Sequence, residues 1–384
     1  MRLRHGGELR LFSEKFGIPE REILDFSSNI NPWGPPDSVR EIFESLKEEL
    51  RVYPDSEALA FRREVARHFP IFPENVIAGN GAAELLDLIL RLLRPKRALL
   101  IEPTFLEYRR LLNLQGAQIR SISLREKDSF RFSPSEVANA LLGVDVAIFA
   151  HPNNPTGTHL SRESLQHLLG EAKRRNIFIV LDEAFVDWTP ELSMAKEVRD
   201  DSFFFVVRSL TKFFALPGIR IGYGLGSRKL IEKLNTLQVP WSCNRLAQKL
   251  GETALRDGRF INESRDWLST ERDWLEAGLQ KISWLKAYPS ASNFLLVRHA
   301  PSSEGRSLIE AMAKRGIYLR DLTEFPGLGP TYFRVAVRKR EENEKLLAAL
   351  CSRDGSGGDT CAPKTHLSLL EPSLPEPSPD WSPD

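Results

Sequence analysis

The feature that most constrains this chain is the regular alternation of short, wholly apolar runs with amphipathic helical stretches. Ala98-Leu-Leu-Ile-Glu-Pro, Val146-Ala-Ile-Phe-Ala-His-Pro, Ile177-Phe-Ile-Val-Leu-Asp-Glu and Ser202-Phe-Phe-Phe-Val-Val-Arg are strand-length and rich in β-branched and aromatic residues. They are apolar on both faces, and such strands belong in a parallel sheet covered by helices above and below. Between them lie the helices. In Ala82–Leu93 the polar residues Glu84, Asp87 and Arg91 recur at spacings of three and four, so one narrow face meets water and the rest is buried. Ser161–Arg175 opens on a serine cap and keeps a helical pattern. The alternation predicts a doubly wound α/β unit over residues 60–235. From Trp241 to Leu350, long charged helices precede short strands in Asn293–Arg298 and Tyr332–Arg338, which predicts a smaller α+β unit.

The expected organisation is therefore an N-terminal arm with part of the small domain (1–50), a large α/β domain (51–240), a small α+β domain (241–350) and a tail (351–384). The tail is rich in Pro, Gly and Ser and has too few large apolar residues to offset the entropy of ordering, so it is expected to be flexible. Composition excludes several classes. The charge is 53 − 52 = +1, neither a basic nucleic-acid binder nor an acidic tail protein. The longest apolar runs, such as Phe203–Val207, fall far short of the ~20 residues that span a bilayer. The opening Met1-Arg-Leu-Arg-His-Gly-Gly-Glu lacks the apolar segment of a secretory signal. Cys243, Cys351 and Cys361 make no disulfide framework, and Cys351, Cys361 and His366 lack the spacing and a fourth ligand for a metal. A cytoplasmic enzyme without a metal is expected.

Ligands of open α/β sheets bind outside the carboxyl ends of the strands, so polar residues there are the candidates. Gly79-Asn-Gly-Ala-Ala-Glu84 precedes the buried helix, where a glycine backbone and unpaired N–H groups favour an anion; an ordinary turn explains the same residues. His151-Pro-Asn-Asn-Pro-Thr-Gly157 offers directional amides, and turn chemistry alone also accounts for it. Asp182 ends the most apolar strand, where a carboxylate needs a donor or cation. Ser209-Leu-Thr-Lys212 follows the next strand, with Arg220 eight residues on; a strand-end lysine near a carboxylate can be an amine nucleophile. Arg320, Arg334 and Arg338 flank the last strand, where a guanidinium fork suits a carboxylate or phosphate. In order, with Tyr108, these groups supply a phosphate cup, a ring sandwich, a pyridinium partner and a Schiff-base lysine, which is what pyridoxal phosphate requires.

The set resembles the fold-type I pyridoxal phosphate enzymes of the histidinol-phosphate aminotransferase branch, and within it the threonine-phosphate decarboxylases of cobalamin biosynthesis. The likeness rests on His5-Gly-Gly, Leu24-Asp-Phe-Ser-Ser-Asn-Ile-Asn-Pro32, Tyr53-Pro-Asp, Asp182-Glu-Ala-Phe185, Arg208-Ser-Leu-Thr-Lys-Phe-Phe-Ala-Leu-Pro-Gly-Ile-Arg220, Val239-Pro-Trp-Ser-Cys-Asn244 and Tyr332–Arg338. The resemblance implies that Lys212 carries the Schiff base, Asp182 holds the pyridine nitrogen protonated, Asn154 bonds the ring 3-oxygen and Tyr108 stacks on the ring. It gives the cofactor phosphate to Gly81, Ala82, Ser209 and Arg220, with Tyr53 entering from a second subunit of a homodimer. Arg334 and Asn154 would meet the substrate carboxylate end, and Arg320, His5 and Asn31 the phosphate of L-threonine O-3-phosphate. Phe185 stands where the aminotransferases usually carry a tyrosine that donates to the cofactor. The rival readings are a histidinol-phosphate aminotransferase and a non-catalytic ligand sensor; no helix-turn-helix signal precedes the Gly loop to support the sensor.

Overall fold

The computed structural model describes residues 6–300 and 308–352. His5, Cys361, His366 and the rest of the expected tail from residue 353 on lie outside the described residues, while Cys351 ends the helix Arg340–Cys351. Thirteen strands form among them: β1 (Leu24–Asp25), β2 (Val76–Gly79), β3 (Arg97–Glu102), β4 (Gln118–Ser123), β5 (Val146–Ala150), β6 (Phe178–Asp182), β7 (Phe204–Ser209) and β8 (Gly222–Leu225), followed by β9 (Leu285–Ala287), β10 (Phe294–His299), β11 (Ile317–Tyr318), β12 (Arg320–Asp321) and β13 (Tyr332–Ala336).

Seven of them make one sheet in the order β2-β8-β7-β6-β5-β3-β4. Strands β4, β3, β5, β6 and β7 run parallel, and β8 alone is antiparallel to both neighbours. The expected α/β fold with a mostly parallel sheet is the fold observed. Its two-sided apolarity has a direct reading. Val146, Ile148, Ala150, Val180, Phe205 and Val207 pack under the Ala82–Leu93 and Leu106–Leu114 helices. Their alternates Ala147, Phe149, Ile179, Leu181 and Val206 pack on the other side, where the Arg162–Arg174 helix adds Leu165, Leu168 and Ala172. A period of two sends neighbours to opposite faces, so a strand buried on both has no polar positions until it ends.

The helix over Ala82–Leu93 has the bounds the pattern predicts, and Ser161 caps the next by accepting from the Ser164 N–H at 3.2 Å. A second sheet, β12-β13-β10-β9, is antiparallel throughout. β1 pairs with β11 in parallel, so the N-terminal segment joins the C-terminal part of the chain. Among the described residues no helix is long and apolar enough to cross a membrane.

One buried network holds the end of β7. Arg208 donates to Glu183 (3.0 Å) and Asp187 (2.5 Å), and Glu183 also accepts from Ser193 Oγ and the Met194 N–H. Both Arg208 and Glu183 are buried. Removing one side of a buried ion pair leaves an uncompensated charge at a cost of about 3–5 kcal/mol. Glu183→Ala is expected to lower unfolding free energy by about that amount in urea titration; a loss below 1 kcal/mol would show that Arg208 is satisfied without it.

Candidate active site

The parallel strands end on one cleft of about 230 Å³. Ala150 closes β5, Asp182 closes β6 and Ser209 closes β7, and all three line it with Thr211 and Lys212 from the segment after β7. The C-terminal sheet contributes Arg320 and Arg334, and the N-terminal segment contributes Gly6, Ser27, Ser28 and Asn29.

One end of the cleft is built for an anion. Ala82 and Ala83 open the twelve-residue Ala82–Leu93 helix, whose first-turn N–H groups have no intrahelical acceptor. Gly81 precedes them at φ +77°, and a Cβ there would lie 2.5 Å from the Arg220 guanidinium. Gly222 of β8 is equally constrained, since its Cβ would meet Arg208 O at 2.7 Å and the Ala82 N at 2.9 Å. Only glycine lets β8, the loop and Arg220 approach this closely. Ser209 Oγ shares a 2.8 Å hydrogen bond with Thr211 Oγ1 beside them.

Deeper in, Asp182 is buried and its Oδ2 accepts from the Tyr108 hydroxyl at 2.6 Å, while Oδ1 accepts from the Ala184 N–H at 2.9 Å. Burial pushes the Asp182 carboxyl up from its ordinary value, opposed by the Tyr108 hydroxyl, the Ala184 N–H and the Lys212 charge. Tyr108 is itself pushed up by burial and by the Asp182 charge, so it stays a donor. Lys212 opens onto the cleft, yet desolvation, then Arg334 and Arg220, bring its amine down to about 8; Asp25 and Asp182 act the other way.

At the far end two cations sit side by side. Arg320 and Arg334 are cross-strand partners on β12 and β13, and both are buried. Arg334 donates to Asn154 Oδ1 (2.5 Å) and to the Ser27 carbonyl (2.7 Å), and its guanidinium lies 5.2 Å over the Phe294 ring. Burial and Arg320 bring Arg334 down to about 9, which leaves it cationic at neutral pH. Its Nε is buried without a hydrogen-bond partner among the described residues. Arg320 lies over Phe325 at 5.6 Å. Phe185 lines the wall between and packs edge-on against Phe294.

Most of the sequence candidates thus converge on one place: Ala82, Tyr108, Asn154, Asp182, Ser209, Lys212, Arg220, Arg320 and Arg334 line the cleft, with Gly81 directly behind Arg220. Asn31 does not. Its amide donates to Phe213 O (3.0 Å) and Ser264 Oγ (2.9 Å) and its oxygen accepts from the Trp33 N–H, so it braces the segment after Lys212 from outside the cleft. The asparagine that faces the cleft is Asn29, whose buried Oδ1 has no hydrogen-bond partner among the described residues. The reason is spacing: two residues on, past Ile30, the chain has turned toward Phe213. Tyr53 stands outside this cleft, 77% exposed and packed on Trp241. Asp25, Ser27, Ser28 and Thr211 carry no role in the sequence reading. Asp25 ends the two-residue strand β1 with Ser27 and Ser28 just after it, and Thr211 lies between Ser209 and Lys212 after β7.

Residues 21–350 match the model of the Aminotransferase class I and II family. The threonine-phosphate decarboxylase of Salmonella typhimurium is 36% identical over 348 residues, 90% of this chain and 95% of that protein. Histidinol-phosphate aminotransferase 2 of Archaeoglobus fulgidus is 33% identical, over 88% of this chain and 95% of that one. The crystal structure of the histidinol-phosphate aminotransferase from Clostridium acetobutylicum superposes with a TM-score of 0.81 at 30% identity, covering 86% of this chain and 98% of that one.

The depressed amine gives a direct test. In protein carrying no small molecule, Lys212 should react with an amine-selective reagent with a pH midpoint near about 8 rather than 10.5. Reactivity is expected to rise with pH through that midpoint, because only the neutral amine attacks. Quantitative peptide mass spectrometry reads it, and a midpoint near 10 would show a solvated lysine.

Proposed function

The chain belongs to the aminotransferase class I and II family, and on that premise we propose that it uses pyridoxal phosphate to decarboxylate L-threonine O-3-phosphate, giving (R)-1-aminopropan-2-yl phosphate and carbon dioxide in cobalamin biosynthesis. The observation that carries the reading is the pair of buried arginines, Arg320 and Arg334, in the same cleft as Lys212 and Asp182. A small substrate with a carboxylate and a phosphate has an anionic group for each fork.

The residues fit the cofactor. The glycine-lined loop, the N–H groups of Ala82 and Ala83, the Ser209 hydroxyl and Arg220 suit a phosphate, and Tyr108 gives an aromatic wall. Bound pyridoxal phosphate supplies an electron sink for the charge left at the substrate α-carbon. Every other task falls to the protein. Asp182, held in place by Tyr108, presents a dry carboxylate to a pyridine nitrogen and keeps it protonated. Lys212 would hold the cofactor through its amine, and its depressed pKa would suit it to deliver a proton at the substrate α-carbon. Asn154 has its oxygen committed to Arg334, so its amide N–H is the group left to donate to the ring 3-oxygen. Arg334 fixes the carboxylate; Arg320 takes the phosphate, with His5 and with Asn29 in the role first given to Asn31. Phe185 offers no hydroxyl, so the wall beside the carboxylate stays apolar, and an apolar surround favours loss of charge as carbon dioxide leaves.

Tyr53 would complete the phosphate site of a second copy in a homodimer, acting in the cytoplasm. The division of the chain at residues 50, 240 and 350 accompanies this reading, with the large unit carrying the cofactor. A histidinol-phosphate aminotransferase is the second reading, favoured by the relative at 33% identity.

Incubation of cofactor-loaded protein with threonine phosphate should release carbon dioxide and the amine product with no 2-oxo acid present. Rapid 2-oxoglutarate-dependent turnover of histidinol phosphate, with no carbon dioxide from threonine phosphate, would transfer the assignment to the second reading. Asp182→Asn keeps the shape and removes the charge, so turnover should fall on the order of 10²-fold or more. Arg320→Ala should weaken phosphate-bearing substrates by roughly 10²-fold, as expected for loss of a buried charged contact. In contrast, Arg334→Ala should weaken anything bearing a carboxylate. Saturation kinetics on the three variants separate these outcomes.

A further inference from the structure

The segment Leu24–Asn31 touches both halves of the cleft through its backbone. The Asn31 N–H donates to the Lys212 carbonyl (3.0 Å), and the Ser27 carbonyl accepts from Arg334 (2.7 Å). Asn293 donates to Asn29 O at 3.0 Å, and the Phe26 N–H donates to Tyr318 O while its carbonyl accepts from the Ala336 N–H. The position of the lysine relative to the arginines therefore passes in part through this stretch, beside the Arg334–Asn154 contact.

Asp25 is what holds its shape. Oδ1 accepts from the Ser27 N–H (2.9 Å), the Ser27 hydroxyl (2.6 Å) and the Ser28 N–H (3.3 Å), and Oδ2 accepts from the Ser28 hydroxyl. Ser27 Oγ is left to accept from the Gly7 N–H at 2.9 Å, which fastens the N-terminal arm to the same turn. Four donors on one carboxylate fix the turn more firmly than capping alone requires. The charge also has a place. Lys212 feels Arg334 and Arg220 against Asp25 and Asp182. Arg334 feels Arg320 against Asp25. On the far side Asp25 meets the Tyr318 phenol, which also has Arg320 and Glu8 nearby. Of the two carboxylates that act on Lys212, Asp182 already has the Tyr108 hydroxyl on it, and Asp25 is the one that also acts on Arg334.

We infer that Asp25 is a positioning residue of this site: it fixes the Ser27–Asn29 wall and supplies the counter-charge that lets Lys212 and Arg334 share one cleft, so limiting how tightly the cleft holds a substrate anion. The part about substrate rests on the decarboxylase reading; the part about the lysine does not.

The test separates charge from shape. Wild type, Asp25→Asn, Asp25→Ser, Asp25→Glu and the Ser27→Ala/Ser28→Ala double variant are titrated without cofactor, following Lys212 labelling against pH. Loss of a nearby opposite charge disfavours the ammonium, so Asp25→Asn and Asp25→Ser should move the midpoint down by roughly half a pH unit or more. Asp25→Glu and the double serine variant should stay near wild type, since both keep the carboxylate. An unchanged midpoint in whichever neutral variant folds, or an equal shift in the double serine variant, would overturn the inference whatever reaction the protein performs. With cofactor and threonine phosphate, Asp25→Asn should lower KM several-fold while kcat falls. A raised KM with kcat intact would reduce Asp25 to part of the wall; no turnover in wild type would instead count against the decarboxylase reading and leave the titration standing.

Discussion

Everything in this cleft depends on holding cations together with too few carboxylates to balance them. Lys212, Arg220, Arg320 and Arg334 face it, while the anions acting on the two central cations are Asp182 and Asp25. Arg320 and Arg334 are buried, and a buried charge is costly unless its surroundings replace the water it has lost. The replacements are specific: the Ser27 carbonyl, the Asn154 side-chain oxygen and the faces of Phe294 and Phe325. They are incomplete, since Arg334 Nε has no partner among the described residues. The deficit makes the cleft a favourable place for an anion, and together with desolvation, the larger cause, it brings Lys212 down to about 8.

The fold delivers these groups by giving each strand end one task. β6 ends in Asp182 and β7 in Ser209, so neighbouring parallel strands set the carboxylate and the start of the lysine segment side by side. Arg208, one residue before Ser209, is fixed by Glu183, one residue after Asp182. The same pair of strands therefore carries the site on one side and its brace on the other, through nothing more than alternation of side chains.

Much of this was legible beforehand, and the boundary is instructive. The parallel strands were visible because burial on both faces removes every polar residue, and the polar residues that end them then stand out. Asp182 and Lys212 stand out that way, and Arg220 by its place eight residues after Lys212; all three line the cleft. β4 was harder, because as an edge strand in Gln118–Ser123 it mixes exposed and half-buried residues and shows no apolar run. β1, β11 and β12 are two residues each, too short for any period. The sequence names Asn31, whereas Asn29 is the asparagine that lines the cleft, for a related reason. Both asparagines lie in one irregular stretch with no repeat to say which way each points, and only the tertiary contacts to Phe213, Ser264 and Asn293 decide it. Arg320 and Arg334, by contrast, stand out in the sequence as arginines flanking the last strand, and they lie opposite each other on β12 and β13.

What separates a decarboxylase from an aminotransferase on such a scaffold is which bond at the α-carbon is held in line with the electron sink, and that is a question of how still the anion holders are. Arg334 has little freedom: two oxygen acceptors and one aromatic face fix it, and its strand is clamped between β10 and β12. Asp25 adds stiffness at one of those acceptors, because it immobilises the turn that carries the Ser27 carbonyl. Beside it, Phe185 lines the cleft and packs edge-on against Phe294, giving a wall that cannot follow a moving hydrogen-bond partner. A carboxylate gripped by a fixed fork beside apolar walls keeps one orientation and loses solvation, and both effects lower the barrier to losing it as carbon dioxide. A tyrosine in place of Phe185 would bring a donor into that wall and loosen both conditions together. On the proposed reading, the absence of one hydroxyl at residue 185 and the presence of one carboxylate at residue 25 thus act on the same quantity, the orientation of the substrate carboxylate before the bond breaks.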